Sequence, residues 1–100
     1  MNENQIMVVV KKPGSPPVVE PLFSNTLKAF QEAVGGYIET VTFASDLVII
    51  CNEEGQLLDL PCNCRIYGVD FVGTVVAVGR KGENFCSIKA QNIPFVLKLL

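Results

Sequence analysis

Tyr37-Ile38-Glu39-Thr40-Val41-Thr42-Phe43, then Ala44-Ser45-Asp46, then Leu47-Val48-Ile49-Ile50-Cys51, is the stretch that decides the fold. Its first segment is rich in β-branched and aromatic residues, the composition of a strand. The three residues that follow suit a tight connection. The last segment is apolar at every position, as expected of a central strand buried on both faces. Residues 37–51 therefore predict a β-hairpin whose second strand lies inside a sheet.

Upstream, Ile6 to Val10 reads as another short apolar strand, ended by Lys11 and Lys12. Pro13-Gly14 suits the two central positions of a type II turn, with proline setting φ and glycine accepting a positive φ. After Ser15-Pro16-Pro17, Val18-Val19-Glu20 predicts a returning edge strand, where flanking prolines are tolerated. Ser24-Asn25-Thr26 supplies N-cap candidates. Leu27, Phe30 and Val34 follow at i, i+3 and i+7, predicting an amphipathic helix of about three turns that ends at Gly35-Gly36.

Downstream, Asn52-Glu53-Glu54-Gly55 reads as a turn, Gln56 to Leu60 as an extended continuation, and Pro61-Cys62-Asn63-Cys64 as a loop. Asp70 to Val78 predicts one strand. Val72, Thr74, Val76 and Val78 fall on one face and Phe71, Gly73, Val75 and Ala77 on the other. Gly73 suggests a bulge or a close backbone approach. Gly79-Arg80-Lys81-Gly82 reads as a turn, with Phe85 to Ile88 as its returning strand. Ile93, Val96, Leu97 and Leu100 predict a final helix, with Pro94 in its first turn. The expected order is β-β-α-β-β-β-β-α. This is a single α+β domain over residues 1–100, with an antiparallel or mixed sheet built from hairpins and two α-helices.

One hundred residues suit one domain with one core, and 49% of them are hydrophobic. There is no histidine, which excludes a Ser-His-Asp triad, a Cys-His pair, an HExxH zinc site and a C2H2 finger. The net charge of −2 lacks the basic excess of a nucleic-acid binder, so nucleic acid is an unexpected partner. The charges are uneven: no Lys or Arg lies between Lys28 and Arg65, where Glu32, Glu39, Asp46, Glu53, Glu54 and Asp59 fall. Met1-Asn2-Glu3-Asn4-Gln5 lacks the basic and apolar regions of a signal peptide. No apolar run approaches the roughly 20 residues of a membrane helix. A cytoplasmic protein with four free thiols and no membrane partner is expected.

The candidate chemistry is thin. Cys62-Asn63-Cys64 is a C-x-C pair, with Cys51 and Cys86 as further ligands, but a four-cysteine zinc site usually shows two pairs with C-x2-C spacing. Glu53 and Glu54 are adjacent in a turn, where carboxylates are solvated and point apart. Gly79-Arg80-Lys81-Gly82 lacks the phosphate-loop pattern, and Gly35-Gly36 lacks the third glycine of a dinucleotide motif. Tyr37, Phe43, Tyr67, Phe71 and Phe85 are assigned mostly to the core. No catalytic, metal or cofactor-binding residue is expected, and no cofactor.

Val8-Val9-Val10-Lys11-Lys12-Pro13-Gly14, Leu27 to Val41, Ile50-Cys51-Asn52-Glu53-Glu54-Gly55, Leu60-Pro61 with Asn63, and Gly73-Thr74-Val75-Val76 together carry a resemblance. Val34-Gly35-Gly36-Tyr37-Ile38-Glu39 and Cys51-Asn52-Glu53-Glu54-Gly55 are its most specific parts. The chain resembles, over nearly its full length, a small bacterial and phage domain family of unknown function, found in gut metagenomes and mobile elements. Cys62 and Cys64 depart from the family pattern, which has Pro and Arg there. The resemblance implies that Asn52, Glu53 and Asn63 lie close together and order the connection between them, or share a binding site there; with Arg65 these residues are the candidate binding loop.

These readings favour a non-enzymatic accessory or interaction protein linked to a phage or mobile element. Two helices are expected to cover one sheet face only, so a homodimer or protein partner is expected on the apolar face left over. One alternative is an acidic decoy or modulator of a nucleic-acid-binding protein, motivated by the stretch from Glu32 to Asp59. The other is a small ligand-binding or enzymatic domain using the polar loop at 52–65.

Overall fold

The hairpin at residues 37–51 forms as expected, and the rest of the chain assembles against it. The computed structural model describes residues 4–100; Met1, Asn2 and Glu3, the start of the polar N-terminal stretch, lie outside the described residues. The strands are β1 (Gln5–Lys11), β2 (Val18–Ser24), β3 (Ile38–Ala44), β4 (Leu47–Asn52), β5 (Cys62–Ile66), β6 (Val69–Val72), β7 (Val75–Lys81) and β8 (Asn84–Cys86). Helix α1 is Leu27–Val34, and helix α2 is Ile93–Leu99 after a 3-10 turn at Ala90–Asn92. The main sheet has the order β2-β1-β7-β4-β3, with β8 also pairing β7. β5 and β6 form a separate two-stranded sheet. All pairings are antiparallel, so the class is α+β.

Period-two alternation sends side chains to two cores on opposite faces of the main sheet. Val9, Leu47, Ile49, Cys51, Val75 and Ala77 point into one core, where Ile66, Phe71, Ile88 and Val96 cover them. Ile6, Val8, Val48, Ile50, Val76 and Val78 point into the other, beneath Phe30 and Val34 of α1. All six residues of β4 are buried, as its unbroken apolar run predicted. Burying each Ile or Val contributes about 1.5–3 kcal/mol, so this strand anchors both cores.

Local signals set several boundaries. Ser15 N donates to the Lys12 carbonyl at 3.1 Å, with Gly14 at φ 75°, which is the expected type II turn. Thr26 caps α1 by accepting from Ala29 N at 3.1 Å. The helix has 8 residues, shorter than the three turns expected, and Leu27 is exposed while Phe30 and Val34 face the core. β2 runs to Ser24, and its Pro21 sits where the pairing with β1 is irregular, on an outer strand. Pro94 lies in the first turn of α2.

Four expectations need correction. Residues 56–60 are not extended: Leu58 N bonds to Glu54 O, Asp59 N to Gln56 O and Leu60 N to Gly55 O, closing a compact turn. Cys62–Ile66 is a strand rather than a loop, paired with β6 through a turn at Tyr67-Gly68, both at positive φ. The strand expected at 70–78 is two strands. Gly73, at φ 71°, breaks it, and its N–H donates to the Pro61 carbonyl at 2.7 Å. Glycine accepts that backbone without a Cβ penalty, so the chain passes from the small sheet to the large one there. Finally, both faces of the central strands are covered among the described residues, with α1 on one side and α2 and the β5–β6 hairpin on the other, where the two helices were expected to cover one face only.

Candidate functional site

Asn52 ends β4 and is 5% exposed, so its amide must find partners inside the protein. Its Nδ2 donates to the Val34 carbonyl at 3.0 Å, one of the carbonyls that a helix end leaves unpaired. Its Oδ1 accepts from Glu54 N at 2.7 Å, an Asx-type turn. Glu53 N donates to the Tyr37 carbonyl at 2.8 Å. Asn52 thus ties the end of α1 to the turn at residues 53–59. Gly36 is needed beside it for space: a Cβ there would lie 2.9 Å from Asn52 Nδ2. The two most specific motif stretches, 34–39 and 51–55, meet at this amide.

Asn63 falls where β5 is irregular: Cys62 pairs with Val72 and Cys64 with Phe71, which leaves Asn63 as the extra residue. A bulge re-aims a side chain, and here it points at the end of β1. Asn63 Nδ2 donates to the carbonyls of Lys11 at 2.8 Å and Gly73 at 2.7 Å. Asn63 Oδ1 accepts from Lys11 Nζ at 3.0 Å, and that ammonium also donates to the Lys12 carbonyl at 3.2 Å. Lys11 is only 8% exposed, a cation held by neutral oxygens. Composition gave no sign of this, because Lys11 reads as the polar end of a strand.

The remaining two candidates stay in water. Arg65 faces Asp70 across the β5–β6 pair at 3.5 Å, with side chains 70% and 65% exposed, a geometry worth little. Glu53, exposed, lines a small cavity together with Glu39, Cys51, Asn52, Gln56 and Asp70. Asn63 and Arg65 border a second cavity, which shares Gln56 and the Asp70–Val72 stretch with the first. The four residues therefore surround one junction between loop and hairpin, two on each side, without converging on a single cleft.

The thiols are not arranged for chemistry. All four are free, and Cys62 is exposed. Burial, helped by the Glu39 carboxylate, pushes the Cys51 thiol up to about 11. Burial also raises Cys64, with Lys11 opposing it. A thiol held protonated is a poor nucleophile. Among the described residues, no three or more Cys, Asp or Glu side chains gather to hold a metal ion. No described helix is long and apolar enough to cross a membrane.

Large apolar side chains project from the segments that the two asparagines fasten. Leu57 is 84% exposed and Leu58 is exposed beside it; Tyr67 is 73% exposed and Val69 follows on the hairpin. Of the five aromatics assigned mostly to the core from the sequence, Tyr67 and Tyr37 are on the surface. Tyr67 rests against Phe43, with ring centroids 6.2 Å apart, and Phe43 in turn rests against Phe71.

A family model described as a domain of unknown function (DUF3846) matches residues 5–100. No curated protein and no solved structure matches the chain.

Proposed function

The chain belongs to this DUF3846 family, and from its own geometry we propose a non-enzymatic accessory protein that works by binding another protein. One observation carries the reading. The polar groups that looked most like a site, Asn52 and Asn63, spend their hydrogen bonds on carbonyls, amides and Lys11 inside the domain. What they hold in place is apolar: Leu57 and Leu58 on the turn, Tyr67 and Val69 on the hairpin. Gln56 and Val69, neighbours of these side chains, line the same cavity, so the two segments adjoin. Fastening exposed apolar side chains before contact lowers the ordering cost of binding. The phage or mobile-element setting rests on the resemblance of its motifs, and the cytoplasmic setting on four unpaired thiols.

The acidic-decoy alternative finds less support. It needs a dense negative field, yet the net charge is only −2 and Asp46, within the acidic stretch, is paired with Lys89 at 3.0 Å.

The test is affinity capture from a bacterial lysate with the wild-type protein and the Leu57→Asp, Tyr67→Asp double variant. A partner held by the first and lost by the second, at unchanged melting temperature, supports the reading. The same partners with both proteins, or none with either, overturns it.

A further inference from the structure

The two outer strands of the main sheet are built differently. β2 carries Pro21 and an irregular register, since Ile6 pairs with Phe23 but Val8 pairs with Glu20, and Pro17 precedes the strand. Prolines and bulges are the usual means of stopping an edge from pairing with another chain. β3 has no proline and no lysine. It keeps an unbroken register with β4 from Ile38 to Thr42, and irregularity enters only between Thr42 and Ala44.

The hydrogen-bonding direction along β3 follows from one bond. Glu53 N donates to Tyr37 O, so Tyr37 turns its backbone groups toward β4. Antiparallel alternation gives Glu39 and Val41 the same inward direction. Ile38, Thr40 and Thr42 then direct N–H and C=O away from the sheet. Among the described residues, no other element bonds to these groups, and Thr40 and Thr42 are exposed.

We propose that β3 pairs antiparallel with β3 of a second copy of this chain, about a twofold axis at Thr40, to make one continuous sheet. The strand is self-complementary in that register. Thr40 faces the partner subunit's Thr40, Ile38 faces the partner subunit's Thr42, and every outward N–H meets a carbonyl. Thr–Thr and β-branched pairs across antiparallel strands are favourable. Glu39 faces the partner subunit's Val41, so no like charges meet. Moving the axis to Glu39 sets two carboxylates opposite each other, which is unfavourable. Moving it toward Phe43 runs into the irregular end of the strand. The contact is isologous, as a closed dimer requires. One strand edge buries little area, so association is weak and concentration-dependent. The proposal is independent of the Leu57 and Tyr67 surface.

Sedimentation from ~1 μM to ~1 mM, with amide hydrogen exchange at both ends of that range, tests it. The expected result is a monomer–dimer equilibrium in which the Ile38, Thr40 and Thr42 amides become protected as the dimer forms. Thr40→Pro points its ring outward and leaves the ladder to β4 intact. Thr40→Lys sets two cations at the axis. Each is expected to weaken self-association at least about tenfold, while Leu57→Asp does not. If Thr40→Pro proves unfolded, Thr40→Lys and the exchange pattern decide. A monomer throughout, a dimer without protection at these amides, or a dimer unchanged by Thr40→Lys overturns the proposal.

Discussion

Asn63 and Lys11 are joined in both directions: Asn63 Nδ2 donates to the Lys11 carbonyl at 2.8 Å, and Lys11 Nζ donates to Asn63 Oδ1 at 3.0 Å. With the further bond to Gly73 O, one side chain links the end of β1, the bulge in β5 and the break between β6 and β7. The small sheet is docked on the large one by this contact as well as by Ile66 and Phe71 in the core.

Asn63→Ala leaves two carbonyls and a nearly buried ammonium short of partners. Unpaired buried groups each cost about 1–3 kcal/mol, and we expect a loss of about 2–4 kcal/mol in urea unfolding. Lys11→Met removes the charge while keeping the stem, and should cost less. A double-mutant cycle of the two should show coupling of roughly 0.5–3 kcal/mol. Additive effects would mean that the reciprocal bonds contribute nothing jointly.

Asn52→Ala should cost about 1–3 kcal/mol and speed hydrogen exchange at the Glu54 amide. Asn52→Asp should be worse at neutral pH than in acid. It keeps an acceptor for Glu54 N but sets a carboxylate oxygen against the Val34 carbonyl. Gly36→Ala should also destabilise, because the new methyl group meets Asn52 Nδ2. Melting curves of the three variants at pH 7 and pH 4 check this.

Asp46 is held below its usual value of 3.8, chiefly by its bond to Lys89 and against some desolvation. A lowered carboxylate stabilises the fold above its unfolded pKa and loses that contribution as pH falls through its folded value. The gap in melting temperature between wild type and Lys89→Ala should therefore stay constant from pH 7 to about 5 and close below about pH 4. A gap that persists at the lowest pH would show that Lys89 acts through packing.

Cys51 titrates near 11 rather than 9.0 because it is buried. Between those values the unfolded chain loses a proton that the folded chain keeps, so stability should fall as pH rises from 9.0 toward 11. Cys51→Val should flatten that decline. At pH 8 a maleimide should modify exposed Cys62 first, and Cys51 only on unfolding. Early modification of Cys51, read by peptide mass, would contradict the burial argument.

Where the determinants are local, the chain was readable. Leu47 to Cys51 is apolar throughout and is the buried strand β4. Pro13-Gly14 makes the turn its chemistry requires, and Thr26 caps α1. Other elements were hidden. Pro61 and Asn63 weaken the strand signal of β5, and Tyr67-Gly68 lacks the Asn-Gly pair that marks a two-residue hairpin. The Phe71–Val78 run alternates well enough to pass for one strand, although Gly73 divides it. Asn52, Glu53 and Asn63 were singled out through the family likeness, but their partners Val34, Tyr37, Lys11 and Gly73 were not legible.

Local pattern was enough for the class, the β1–β2 and β3–β4 hairpins and both helices, because periodicity, caps and turn residues act over a few neighbours. Long-range packing set α1 and α2 on opposite faces and brought a small second sheet over the core expected to be open. It also decided that the two asparagines bind the protein to itself. These outcomes depend on contacts such as Lys11 with Asn63, separated by 52 positions. At that distance the partner is chosen by which surfaces meet, a quantity no local pattern carries.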